Sequence, residues 1–305
     1  MDAKPENQPG VVAALKETYN EFSKDDVMTQ AAAVAYYTGL SIAPVLTVAV
    51  WIARFFFRDK SSDEVWKVLK SAIGEQAAAP LLTMLDPASK QLSGGMTLAG
   101  IGSLVIVFIS ASGVFGQLQA ALNAIWGVKQ DANAGIMGLI TKRLLSFGML
   151  LSIIFLLLIS VIIGSAIQGI VSRGGTDEAT GVMAVIVNNA VSFGVYTVLF
   201  AAMFRFLPDT RIDWKHVWFG AVVTAVMFLV GKFGLSLYLG RGSYESQYTD
   251  AIGGFVALLV WIYYSAVILL VGAEITQVYA RRHGHKIEPD EHAVRVIKRT
   301  ETVAT

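Results

Sequence analysis

AIGGFVALLVWIYYSAVILLVGAEITQVY, residues 251–279, contains no lysine or arginine and a single acid, Glu274. An apolar run needs about 20 helical residues to cross roughly 30 Å of hydrocarbon. In that medium every backbone N–H and C=O must be bonded within the segment, which an α-helix achieves. The stretch therefore predicts a membrane-crossing helix with length to spare for tilt.

Working outward from it, five more apolar runs occur at 29–57, 94–115, 141–169, 182–206 and 216–239. Composition agrees: 54% of the 305 residues are hydrophobic and 15% charged, with a mean hydropathy of +0.57, too apolar for a soluble domain. The predicted fold class is an all-α polytopic membrane protein with six transmembrane helices. Cysteine is absent, which removes disulfides, thiolate metal sites and a cysteine nucleophile. A formal net charge of +1 provides no global basic surface, so nucleic acid is not an expected partner, whereas membrane lipids are. The sequence leaves oligomerisation open.

Three regions follow. Residues 1–28 form a polar segment with no apolar core of a signal peptide, followed by an interfacial amphipathic helix whose stripe is Val12, Leu15, Tyr19 and Phe22. Residues 29–279 form the membrane domain. Its outer loop, about 58–93, carries a capping box at Ser61 and Glu64 and an apolar stripe from Val65 to Ile73, a short helix that is either a fixed cover or a movable lid. Residues 280–305 read as a mobile tail, polar and mixed in charge. With both termini on one side, fifteen of the 24 Lys and Arg fall on that side and seven on the other, Arg54 and Lys232 lying within spans. The positive-inside rule then predicts cytoplasmic N and C termini.

Four stretches carry a resemblance: AAAVAYYTGLSIAPVL (31–46), GVFGQLQAALNAIWGV (113–128), RFLPDTRIDWKHVWFGAVV (205–223) and YTDAIGGFVALLVWIYYSAVILLVGAEI (248–275). In order and spacing, from about residue 15 to 282, they resemble the YihY/BrkB family of bacterial inner-membrane proteins. The resemblance implies a multi-pass protein of the bacterial inner (plasma) membrane. Members of that family have carried the label ribonuclease BN and the description virulence factor.

A metal-dependent nuclease needs several His and Asp ligands converging on a cation that activates water. The four histidines, His216, His283, His285 and His292, fall in no such pattern, and no Walker loop or nucleophile elbow occurs. The sequence thus predicts no enzyme, no catalytic residue, no metal and no cofactor.

Polar groups within the spans are costly and therefore informative. At about 1.5 Å per residue, Glu274 and Arg205 lie at a similar inner depth, which predicts an ion pair, either a structural tie or a gate. Lys232 lies towards the outer side, with Asn188 and Asn189 at comparable depth and Tyr263 and Tyr264 nearer the middle. It either snorkels to headgroups or faces a water-filled cavity where these five residues bind an anionic small molecule or lipid headgroup. Pro44 is expected to kink the first span. Two functions fit: a transporter or lipid flippase-like carrier for an anionic or amphiphilic molecule, or a structural and assembly protein of the inner membrane.

Overall fold

The longest helix among the described residues packs against three of the others. In the computed structural model, which describes residues 10–57, 113–130, 178–240, 250–284, 288–290 and 293–296 and scattered helical positions between 148 and 169, six helices can be followed. These are α1 (Val11–Lys24), α2 (Val27–Phe57), α3 (113–125), α4 (Glu178–Phe206), α5 (Trp214–Gly240) and α6 (Asp250–Arg282). Four short strands join them: β1 (Val128–Gln130), β2 (Thr210–Arg211), β3 (Glu288–Pro289) and β4 (Ala293–Arg295). α6 packs against α2 and α5, α4 packs on α5, and α1 lies against α6.

Among the described residues, three helical stretches are long and apolar enough to cross a membrane: Ile186–Phe206, Trp214–Gly234 and Leu258–Arg282. They overlap the last three runs read from the sequence, passing two residues before the fifth and three beyond the sixth. α2 coincides with the first run, and Pro44 falls inside it where side chains lie outside the described residues. The second and third runs are outside the described residues except at 113–115 and the scattered positions, and the loop 58–93 is wholly outside them.

Small residues set the closest helix contact. A β-carbon added to Gly220 would collide with Thr276, and one added to Gly272 would collide with Thr224. The contact is reciprocal, each helix presenting a glycine and, four residues on, a threonine. Each threonine hydroxyl is already satisfied by its own helix, Thr224 Oγ1 donating to Gly220 O (2.7 Å) and Thr276 Oγ1 to Gly272 O (2.6 Å). The side chain can therefore seat against the facing backbone without a stranded polar atom, the arrangement that small residues permit between apolar helices. Farther along the same seam Gly231 receives the ring of Tyr264. Aromatic rings fill the space towards α4: Phe228 lies 5.0 Å from Tyr196, 5.7 Å from Phe200 and 5.5 Å from Trp261 between ring centroids.

The end of the molecule bearing α1 is built differently. Asp26 adopts a left-handed φ of 51°, which a short polar side chain tolerates, and lies in the short link between α1 and α2. Thr29 Oγ1 donates to Asp26 Oδ1 (3.0 Å) at the start of α2. α1 is fastened to α6 by charge: Arg281 reaches Glu17 and Glu21 (both 3.2 Å), and Arg282 reaches Glu17 (2.8 Å). The expected stripe divides, with Val12, Leu15 and Tyr19 exposed together with Val11, while Phe22 turns in against the core.

Within residues 280–305, expected to form a mobile tail, two short strands are paired. β4 runs antiparallel to β1, with Val128 opposite Arg295 and Gln130 opposite Ala293. β3 runs antiparallel to β2, with Thr210 opposite Pro289. The tail is sewn to two inter-helix turns because those turns leave backbone groups that no helix can satisfy.

Candidate functional site

Where β1, β4, α1, α3 and the end of α6 meet, they line an open cavity of about 610 Å³. α1 and the turn after it provide Glu21, Lys24 and Asp25; α3 provides Gln119 and Asn123; the chain from 126 to 130 provides Lys129. Asp209 follows α4, Gln277 and Arg281 come from α6, and Arg295 from β4.

The wall is held by an amide and carboxylate clamp. Asn123 Nδ2 donates to Asp209 Oδ2 (2.8 Å), and the Asp209 backbone N–H donates back to Asn123 Oδ1 (2.8 Å). One turn earlier on α3, Gln119 Nε2 donates to Asp209 Oδ1 (3.0 Å). Asp209 O then accepts from the N–H of Asp290 (3.0 Å), which ties the tail to the same residue. Opposite, Gln277 Nε2 donates to Ile125 O (2.5 Å), capping the end of α3 from α6. Charge-assisted bonds of this kind are the strong ones in a buried setting. At the rim, burial pushes the Glu21 carboxyl up, but the hydrogen bond from Lys24 and the charge of Arg281 outweigh it and hold the group below its ordinary 4.5.

The residues singled out from the sequence are distributed otherwise. Arg205 and Glu274 do not pair. Arg205 Nη1 donates to Ile212 O (2.5 Å) and its guanidinium lies 5.9 Å from the centre of the Trp214 ring. Glu274 is fully buried, and neither carboxylate oxygen has a hydrogen-bond partner among the described residues. The charges that act on Glu274 are those of Asp25, Glu21, Arg281 and Lys24. The two residues share a depth but face different neighbours.

Lys232 is partly buried beside Gly231, against which Tyr264 packs. Tyr263, one position on, turns to α2, where its hydroxyl lies 3.5 Å from Met28 Sδ. Asn188 and Asn189 are exposed, and Asn188 approaches Gly164. Of the five, Tyr264 packs against Gly231, the residue before Lys232, and Tyr263 is directed elsewhere. The cavity residues Gln119, Asn123, Asp209 and Gln277 were not anticipated. Their signal was present as Gln119 and Asn123 four apart on one helix face, and as Gln277 and Arg281 spaced on the face that begins with Glu274. Among the described residues no group of three His, Asp or Glu is placed to hold a metal.

The chain is similar to curated membrane proteins. A UPF0761 membrane protein of Methylibium petroleiphilum is 27% identical over 263 residues, covering 86% of this chain and 61% of that protein. A UPF0761 membrane protein of Ralstonia nicotianae is 28% identical, covering 88% and 59%. The chain thus spans about three fifths of the length of these relatives. YfkH of Bacillus subtilis, named as ribonuclease-like, is 25% identical over 280 residues, covering 91% of this chain and 98% of that protein. No solved structure matches. The family described as Virulence factor BrkB matches residues 18–297, and the chain, a membrane protein, belongs to it.

Proposed function

We propose that this protein is a carrier in the bacterial inner membrane for an anionic or amphiphilic molecule, with the α1 end facing the cytoplasm. The observation that carries the reading is the cavity of about 610 Å³, a volume within the ~300–1,000 Å³ range of small-molecule sites, at the charged end of apolar helices. A scaffold has no need of an open polar chamber behind a buried clamp. The basic bias of the helix-connecting segments supports the orientation. Exposed Trp214, Trp218 and Phe206 at the same end suit a headgroup-level aromatic belt. In this orientation the exposed stripe of α1, Val11, Val12, Leu15 and Tyr19, lies on the inner leaflet as an interfacial helix.

Lys232 serves the carrier as a second station deeper in the membrane, where an ammonium attracts an anion, with Tyr264 packed on the adjacent Gly231. Asn188 and Asn189 would flank its path. Uptake and headgroup-scrambling assays in proteoliposomes, run against a panel of anionic solutes and lipids, test the function. Movement of at least one class, abolished by Lys232→Met at matched reconstitution, is the expected result. Met keeps the unbranched stem and deletes the charge, so a merely snorkelling lysine tolerates it. No movement of any tested class, with intact protein, favours the structural and assembly role instead.

A further inference from the structure

One acid of the bundle stands where an anion is hardest to keep. Glu274 is fully buried within the span Leu258–Arg282. Both of its carboxyl oxygens are closed to solvent, and neither has a hydrogen-bond partner among the described residues. Moving an unpaired carboxylate from water into such surroundings costs far more than moving the neutral acid. The charges nearby do not make up for that burial. Asp25 and Glu21 oppose a negative charge on Glu274, whereas Arg281 and Lys24 favour one. Both cations already serve α1: Lys24 pairs with Glu21 (3.0 Å), and Arg281 with Glu17 and Glu21 (both 3.2 Å). From the other helices packed on α6, α2 turns Val27, Ala31 and Val34 to the core, and His216 of α5 lies at Tyr279 and His283, 5.8 and 6.3 Å away between ring centroids.

What suits Glu274 must be positive enough to cancel its charge and small enough for a place that solvent does not reach. A proton meets both conditions, whereas a hard metal ion needs several converging oxygens and the room to reach them. The acid is shut in without being remote. Gln277, three residues on and on the same helix face, lines the cavity, as does Arg281. Gln277 gives its Nε2 to Ile125 O, while its Oε1 has no donor among the described residues. A neutral Glu274 brings a donor to the face on which that acceptor lacks one, and Gln277 stands at the boundary between the acid and the water of the cavity.

We propose that Glu274 is a proton-binding site, occupied in this conformation, whose proton exchanges with the cavity past Gln277 and couples the movement of cargo to a proton gradient. On release the carboxyl O–H bond breaks, the proton passes to water in the cavity, and the anion left behind is countered by Arg281 and Lys24. The coupling rests on the carrier reading, but the proton is measurable without transport.

The test uses the full chain in phosphatidylcholine bilayers. Infrared difference spectra between acidic and alkaline buffer separate protonated carboxyl groups from carboxylates. Wild type is expected to show a protonated carboxyl band that persists at neutral pH. The band is expected to be lost in Glu274→Gln, to be shifted but present in Glu274→Asp, and to be unchanged in Glu288→Gln, whose side chain is exposed. Absence of any such band from wild type at neutral pH overturns the site, and this outcome needs no variant. A band that neither Glu274→Gln nor Glu274→Asp alters, in protein with the wild-type melting temperature, overturns it as well. In proteoliposomes, an imposed pH gradient is expected to drive cargo in wild type, whereas Glu274→Gln, fixed in the neutral form, loses the response to the gradient. The band at Glu274 without movement of any cargo class keeps the proton site and defeats the carrier reading. Movement in wild type that ignores the gradient keeps the carrier and overturns the coupling.

Discussion

The seam between α5 and α6 and the cavity at the α1 end represent opposite ways of joining helices. At the seam, Gly220 and Gly272 each accept a threonine from the other helix, polar atoms are satisfied within their own helix, and no room is left. At the cavity, side chains from α3, α6 and the turn after α4 reach across to one another's backbone and carboxylates. The bonds hold the elements apart as much as together, and a chamber stays open. Where lipid removes any hydrophobic drive between helices, close approach must come from small residues. Where water reaches the helix ends, a polar clamp can fix geometry without filling space.

The largest expected effect tests the seam. Gly220→Ala or Gly272→Ala places a β-carbon where a threonine side chain is anchored, and a threonine cannot swing aside as a long side chain can. Overpacking of this kind costs about 1–3 kcal/mol or more. We expect losses at the top of that range, read as a fall in the denaturation midpoint of the purified protein. The exchange Gly220→Ala with Thr276→Gly is expected to recover part of the loss. Equal stability of Gly220→Ala and wild type would mean that the helices are not in contact there.

Breaking the clamp comes next. Asn123→Ala removes two bonds to Asp209 and leaves a buried carboxylate short of a donor, a loss of about 2–3 kcal/mol for hydrogen bonds to a charged group. Unlike the glycine variants, it is expected to loosen the tail as well, because Asp209 O holds Asp290. Faster amide exchange at 288–296 in Asn123→Ala, with unchanged exchange along α6, checks the coupling. A uniform rise would show that the clamp and the seam are one unit.

How much of this was legible in the sequence follows from the same contrast. Helices α2, α4, α5 and α6 begin and end within a few residues of the apolar runs, because the cost of exposing peptide groups to hydrocarbon fixes them locally. The strands were invisible. Two or three residues have no measurable periodicity, and β4 finds its partner β1 across more than 160 positions. Gln119, Asn123 and Gln277 stand near helix ends, where polar residues are ordinarily read as solvated. Tyr263 and Tyr264 were grouped by depth, although consecutive helical residues point about 100° apart, and one turns to α2 and the other to α5.

A smaller effect concerns how α1 is held. Its ties to α6 are partly exposed ion pairs, worth at most about 1 kcal/mol each. The folded-state pKa of Glu21 lies below its ordinary 4.5. Its contribution is therefore fully present above about pH 4.5 and is lost as pH falls through the lower folded value. Proteolytic nicking of α1 is expected to rise on acidification in that window and to be raised already at neutral pH in Glu21→Gln. An acid-insensitive α1 would show that apolar contact at Phe22, rather than charge, retains it.

The smallest expected effect is a coupling energy near zero between Arg205 and Glu274. Depth along the membrane normal is one coordinate, and two residues that share it can still stand on different sides of a bundle. Arg205 is occupied by Ile212 O and Trp214 within its own helix-turn-helix segment. Glu274 responds to charges at the other interface, those of Asp25, Glu21, Arg281 and Lys24. With no shared partner, the losses from Arg205→Gln and Glu274→Gln should add to within about 0.5 kcal/mol. The single variants are also expected to differ in kind. Arg205→Gln gives up a bond to a backbone carbonyl and a cation over a ring, so it weakens the turn between α4 and α5. Glu274→Gln keeps the volume of a side chain that makes no hydrogen bond among the described residues, and its effect is confined to the α1–α6 contact. A double variant recovering 1 kcal/mol or more relative to the sum would place the two in one network and return the pair to the role of a tie or gate.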